Sequence, residues 1–217
     1  SIINAPILGD RRQVTIIFAD ISGFTALNDA AKTPAQVEQV VRVINTLLSE
    51  LSEAIYEYDG YIDKYVGDEI MALFGAPTAH ENDPELALRA ALSMMERLEK
   101  FNQNPPIPLP APLGMHMGIN TGMVIAGMVG TDRKRSYTVN GDAVNVAARL
   151  QQEARDGDVL LGESTRRLVR DLVTLEPAGV CALKGRSEIV AAYRVLSLAR
   201  PAGTAATALV ARAHEVR

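Results

Sequence analysis

Residues 14–19 (VTIIFA) form an apolar, β-branched run, which predicts a buried central strand ended by Asp20 and the turn-forming pair Ser22-Gly23. A helix is expected next. Thr33 suits its N-cap, Pro34 its first position, and Gln36 completes a capping box. Val37, Val40, Val41, Ile44, Leu47, Leu48, Leu51 and Ile55 then recur at helical spacing. Residues 60–66 and 70–74 read as two strands around a tight Gly67-Asp68 turn. A second helix is expected from Asp83-Pro84 to about residue 102. Five prolines within residues 104–112 then impose a loop, because proline fixes its own φ and has no N–H to donate. Two apolar runs, 114–120 and 123–129, flank Thr121-Gly122 and predict a second hairpin. A third helix over 142–153, a strand at 159–161, a short helix at 164–170 and a final strand pair complete the pattern.

This order predicts an α+β fold: one mostly antiparallel sheet covered by helices, with a small C-terminal αβ subdomain. No internal repeat is present. The 217 residues suffice for one domain plus tails. We expect a lead-in over 1–11, one folded domain over 12–198 and a linker or tail over the Ala-rich 199–217. The first residue is Ser1, and we read the chain as a fragment fused to other domains in a longer protein. A hydrophobic content of 47%, with 22% charged residues, is that of a soluble globular protein. The formal net charge of −4 argues against a nucleic-acid partner. Arg133, Lys134 and Arg135 are the one basic cluster, read as a solvated loop. The single cysteine, Cys181, excludes an internal disulfide and fits a reducing, cytoplasmic setting; it is read as inert. With only three histidines besides, a structural zinc site is not expected. No apolar run reaches transmembrane length and no signal pattern opens the chain, so no membrane contact is expected in this fragment.

The chemistry concentrates at a few positions. Asp20 closes the first strand and Asp68 sits at a hairpin tip. If the hairpin pairs beside that strand, the two carboxylates converge, as a two-metal phosphoryl-transfer site requires. Each alone is better explained as a turn residue, since aspartate is common in turns. Gly23 opens a loop whose free N–H groups suit a polyphosphate. Asn145 and Arg149 are four apart on a predicted helix and share a face; an arginine there can clamp developing phosphate charge, or simply face solvent. The methionines are read as core filler, and His116, inside an apolar run, as a packed core or interface residue rather than a ligand.

Taken together, these segments resemble a known family. Residues 18–25 (FADISGFT) are similar to the signature strand-turn of class III adenylyl and guanylyl cyclases, and 64–68 (KYVGD) to its second metal segment. Residues 118–127 (GINTGMVIAG) resemble its central hairpin, 137–150 (YTVNGDAVNVAARL) its transition-state segment, and Lys184-Gly185 its late phosphate-contacting segment. The likeness runs from about residue 12 to 195.

It implies a ferredoxin-like palm core and an adenylyl cyclase forming cyclic AMP and pyrophosphate from ATP. Asp20 and Asp68 would bind two divalent ions, Mg2+ or Mn2+ with Ca2+ a candidate at one position, and the Ile21 carbonyl would be an extra ligand. Gly23, Phe24 and Thr25 would contact substrate, and Lys184 the terminal phosphate. Lys64 and Thr138 would read the base, Asn145 orient the ribose, and Arg149 stabilise the transition state. The family builds its two sites across a homodimer.

Lys64 favours ATP, since an ammonium only donates, adenine N1 accepts, and guanine N1 carries a hydrogen. Thr138 stands where the family most often has aspartate; a hydroxyl both accepts and donates, which loosens discrimination. Threonine there, and residues 74–77 (FGAP), resemble the subgroup of soluble, bicarbonate-responsive cyclases, making bicarbonate a candidate activator. The alternatives are a guanylyl cyclase, a diguanylate cyclase suggested superficially by Gly67-Asp68-Glu69, and an inactive dimerising regulatory module.

Overall fold

The computed structural model describes residues 9–131, 134–182 and 189–198. In chain order the elements are β1 (Gly9–Ser22), α1 (Phe24–Ala30), α2 (Pro34–Tyr56), β2 (Tyr61–Val66), β3 (Glu69–Phe74) and α3 (Asp83–Gln103). There follow β4 (Gly114–Thr131), β5 (Lys134–Asn140), α4 (Asp142–Glu153), β6 (Val159–Gly162), α5 (Glu163–Val169), β7 (Val173–Ala182) and β8 (Ile189–Leu198). The strands form one sheet in the order β2-β3-β1-β4-β6-β8-β7, with β5 paired to β4 outside this path. Every pairing is antiparallel except β4–β6.

The apolar run in β1 is continuous because both faces of that strand are covered. Ile17, Ala19 and Ile21 point to one face and pack with α2 and α3 through Leu47, Leu51, Ile55, Leu88 and Met94. Val14, Ile16 and Phe18 point to the other, against Ala143 and Ala147 of α4 and Val139 of β5. α2 begins with the expected capping box. The Gln36 N–H donates to the Thr33 hydroxyl at 3.3 Å, and the Thr33 N–H donates to Gln36 Oε1 at 3.0 Å. Its buried face is narrower than its apolar stripe: Val43 is buried, whereas Val37 and Val41 lie in the open.

Three expectations change. Residues 114–129 are no hairpin: β4 runs straight through Thr121-Gly122 and pairs with β1 from Ser22↔Gly114 to Gly9↔Gly127. Thr121 faces inward, its hydroxyl 2.9 Å from that of Thr15 and 3.0 Å from that of Thr165. Gly122 is small for the sake of a helix, since a Cβ there would stand 2.8 Å from Ala143 Cβ. Gly118 is tighter still. Its Cβ would meet the Ala147 carbonyl oxygen at 2.2 Å and the Gln151 nitrogen at 2.3 Å, so α4 rests on bare β4 backbone.

The hairpin partner of β4 is instead β5, which holds Lys134 and Arg135 in a strand rather than a loop; Arg133 lies outside the described residues. A separate short helix, α1, sits between β1 and α2. The C-terminal strands continue the same sheet through the parallel β4–β6 pairing (Met117↔Val159). Of the expected lead-in over 1–11, residues 9–11 belong to β1, while residues 1–8 and the tail over 199–217 lie outside the described residues. Cys181 is buried, and burial pushes its thiol pKa up. Among the described residues no helix is long and apolar enough to cross a membrane.

Candidate active site

The end of β1 gathers an acidic corner. Asp20 pairs in register with Glu69 of β3 on one side and His116 of β4 on the other. The β2–β3 turn is tight because Gly67 adopts φ +66°, a left-handed conformation that glycine takes without penalty. That turn carries Asp68 to β1, where the Ile21 N–H donates to the Asp68 carbonyl at 3.3 Å. Burial raises the Asp20 carboxyl pKa above its ordinary value; Asp68 and Asp156 raise it further, and His116 opposes them. Glu69 is raised likewise, by burial and then by Asp20 and Asp68. The His116 ring spans the corner, with Nδ1 3.2 Å from Asp156 Oδ1 and Nε2 3.5 Å from Asp20 Oδ2. The Gln151 amide nitrogen lies 3.0 Å from the same Nε2. The Ser22 hydroxyl donates to Asp156 Oδ2 at 2.8 Å.

A second group forms where β5 reaches β2. Tyr61 and Tyr137 pack edge to face, with ring centroids 5.9 Å apart. Beside them Asp63, its side chain wholly buried, binds both expected base-reading residues. The Thr138 hydroxyl donates to Asp63 Oδ2 at 3.0 Å, and Lys64 Nζ lies 3.0 Å from that oxygen. Asp63 Oδ1 is buried without a partner.

A third group stands on α4. Asn145 is exposed. Arg149, one turn on, pairs with Glu153 at 2.6 Å and donates to Gln152 at 3.2 Å, while its Nε is buried without a partner.

The structure thus brings Asp20, Ile21 and Asp68 together, and Lys64 with Thr138; no hydrogen bond or ion pair among the described residues joins either set to Asn145 and Arg149. Gly23 caps α1 at φ +101°; Phe24 is buried, leaving only its backbone for a ligand, and Thr25 is exposed. Lys184 lies outside the described residues. Sequence reasoning missed Glu69, Asp63, Asp156 and the polar setting of His116. Glu69 and Asp63 sit directly beside Asp68 and Lys64, and that adjacency was the available signal.

The profile of the family described as "Adenylate and Guanylate cyclase catalytic domain" matches residues 9–196. This chain belongs to that cyclase family. The cyclase domain is 34% identical over 196 residues to "Adenylate cyclase 1" of Rhizobium meliloti (strain 1021), a match covering 89% of this chain and 29% of that protein. It is 34% identical over 197 residues to "Adenylate cyclase" of Anabaena cylindrica, covering 85% and 37% respectively. The chain therefore spans roughly a third of these relatives' own length. Among solved structures, the adenylyl cyclase CyaB from P. aeruginosa superposes with a TM-score of 0.81 at 32% identity, covering 88% of this chain and 97% of that one. The guanylyl cyclase Cya2 does so with a TM-score of 0.81 at 31% identity, covering 90% and 97%.

Proposed function

We propose that this cyclase domain converts ATP to 3′,5′-cyclic AMP and pyrophosphate, as a homodimer with two shared sites. The observation that carries the reading is the pair of corners just described: carboxylates crowded at the end of β1, and a lysine–threonine pair set to read a purine.

The acidic corner suits divalent cations, Mg2+ or Mn2+, with Ca2+ a candidate at one position. Asp20 and Asp68 are hard oxygen donors, and the raised Asp20 pKa marks a place where negative charge is crowded and a cation would relieve it. Among the described residues no three acidic, His or Cys side chains form a ready-made cation cluster. In this reading two carboxylates and the Ile21 carbonyl leave the remaining oxygens to polyphosphate and water. Bound ions would lower the pKa of the attacking hydroxyl and offset phosphate charge.

The chain's own residues position the substrate. Lys64 donates to adenine N1, and Thr138 accepts from the 6-amino group. Backbone N–H groups at Gly23, Phe24 and Thr25 face the polyphosphate, and Lys184 its end. Asn145 orients the ribose so that its 3′-oxygen approaches the α-phosphorus in line with the departing pyrophosphate oxygen. Arg149 exchanges Glu153 and Gln152 for the charge that grows on the α-phosphate.

The dimer follows from what one chain leaves uncovered. Tyr65, Val66, Met123, Ile125, Met128 and Val129 are large apolar residues between 47% and 58% exposed. A two-fold partner covering them would set one chain's Asp20 and Asp68 opposite the partner subunit's Asn145 and Arg149. Bicarbonate is a candidate activator, checked by activity at constant pH with and without it.

The equal likeness to Cya2 favours a second reading, in which GTP is the substrate. Incubating purified protein with ATP or GTP plus Mg2+ or Mn2+, and weighing the products by mass spectrometry, decides between them. Cyclic AMP from ATP is expected; cyclic GMP alone would transfer the reading to guanylyl cyclase, and no cyclic product from either would end it.

A further inference from the structure

Asp63 has an unusual setting for a strand carboxylate. Its side chain is 0% exposed, one oxygen has no partner, and the other receives both Thr138 and Lys64. Leaving a buried acceptor unsatisfied costs stability, so packing alone does not account for an aspartate here. Its effect on Thr138 does.

A threonine hydroxyl has one hydrogen and two lone pairs. Lys64 has only hydrogens to offer, so the Asp63 oxygen beside it acts as an acceptor towards both neighbours. With its hydrogen committed to Asp63, Thr138 has only lone pairs left for a ligand. A 6-amino group, which donates, fits such a site; a 6-oxo group, which accepts, meets lone pair against lone pair. We propose that Asp63 is a specificity-determining positioning residue that makes Thr138 a one-way acceptor and so selects 6-aminopurine over 6-oxopurine nucleotides. The inference rests on the reading of Lys64 and Thr138 as the base site. It turns a side chain ambiguous by itself into a discriminating one.

The test compares kcat/KM for ATP and for GTP in the intact chain. Asp63→Ala frees the Thr138 hydrogen, and the ATP-to-GTP ratio should fall by about tenfold. Asp63→Asn should keep most of the ratio, because its carbonyl oxygen turns toward the two donors. In a Thr138→Val background, Asp63→Ala should leave the ratio where Thr138→Val alone puts it. If the alanine variant does not fold, Asp63→Leu, similar in shape and lacking an acceptor, replaces it.

A fastener role for Asp63 would slow both nucleotides alike and leave the ratio within about twofold of the unaltered protein, which overturns the proposal. Equal loss of the ratio in the alanine and asparagine variants also overturns it, by assigning the effect to charge. Equal turnover of ATP and GTP by the unaltered protein does the same. If the unaltered protein turns over neither nucleotide, the cyclase reading fails by itself. The ratio of ATP to GTP dissociation constants then decides the Asp63 proposal by the same criteria.

Discussion

The acidic corner and the base corner hold charge in opposite ways. Around Asp20, like charges crowd together: Asp68, Glu69 and Asp156 all bear on it, and only His116 offsets them. Around Asp63, opposite partners have already met, with an ammonium and a hydroxyl on one oxygen. The first arrangement is unfinished and becomes favourable when positive charge arrives. The second is paired at Asp63 Oδ2 before any ligand comes and offers a fixed pattern of donors and acceptors. In the proposed mechanism the first would attract cations and the second would select the base.

Breaking the first corner should have the largest effect. Asp20→Ala is expected to cut cyclic nucleotide formation by about a thousandfold while leaving the dimer intact, as read by product assay and light scattering; full activity would remove Asp20 from the metal role. Arg149→Ala should lower kcat by about a hundredfold with little change in KM, as the proposed transition-state contact requires; a change confined to KM would remove Arg149 from that role. Lys64→Ala should act on the second corner instead, lowering kcat/KM for ATP by about tenfold and narrowing the preference over GTP.

The contrast sharpens in stability. Asp20→Asn removes a partly buried charge that Asp68 and Asp156 repel, so the metal-free protein at neutral pH should gain stability in denaturant unfolding even as it loses activity. The smallest effect concerns pH. The folded protein holds Asp20 protonated more readily than the unfolded chain does. The stabilisation from that proton is complete below the ordinary carboxylate range and is lost as pH rises through the raised value. Magnesium held as proposed would favour the ionised form, so its lift of the melting temperature should be larger at about pH 7.5 than at about pH 5. In Asp20→Asn that difference should shrink.

Local chemistry was legible where it acts over a few residues. The Thr33–Gln36 box, the Gly67 turn and the bounds of α4 each depend on neighbours in sequence, and each stands where expected. Thr121-Gly122 misled because the pair looks like a turn, whereas the reason for its glycine is Ala143, on a helix further along the chain. β5 went unseen because its run, KRSYTVN, has little apolar alternation and is held in place by β4. The same limit applies to the site. Asp20 and Asp68 could be paired from motif spacing, but the approach of His116 to Asp20 depends on the β1–β4 register, and that of Asp63 to Thr138 on β5 crossing to β2.

The bare contact between α4 and Gly118 carries a mechanical consequence. At Gly118 no side chain lies between helix and strand to yield or repack, and beside it only small residues such as Ala143 and Ala147 intervene, so α4 is tightly coupled to β4. Asn145 and Arg149 are mounted on that coupled pair, and so are Met123, Ile125, Met128 and Val129 on the uncovered surface. Rotating a neighbour against that surface would therefore re-aim the arginine and the asparagine directly, with no bending inside the chain. Turning one subunit against the other would then suffice to bring the two side chains proposed to act on the substrate in or out of line.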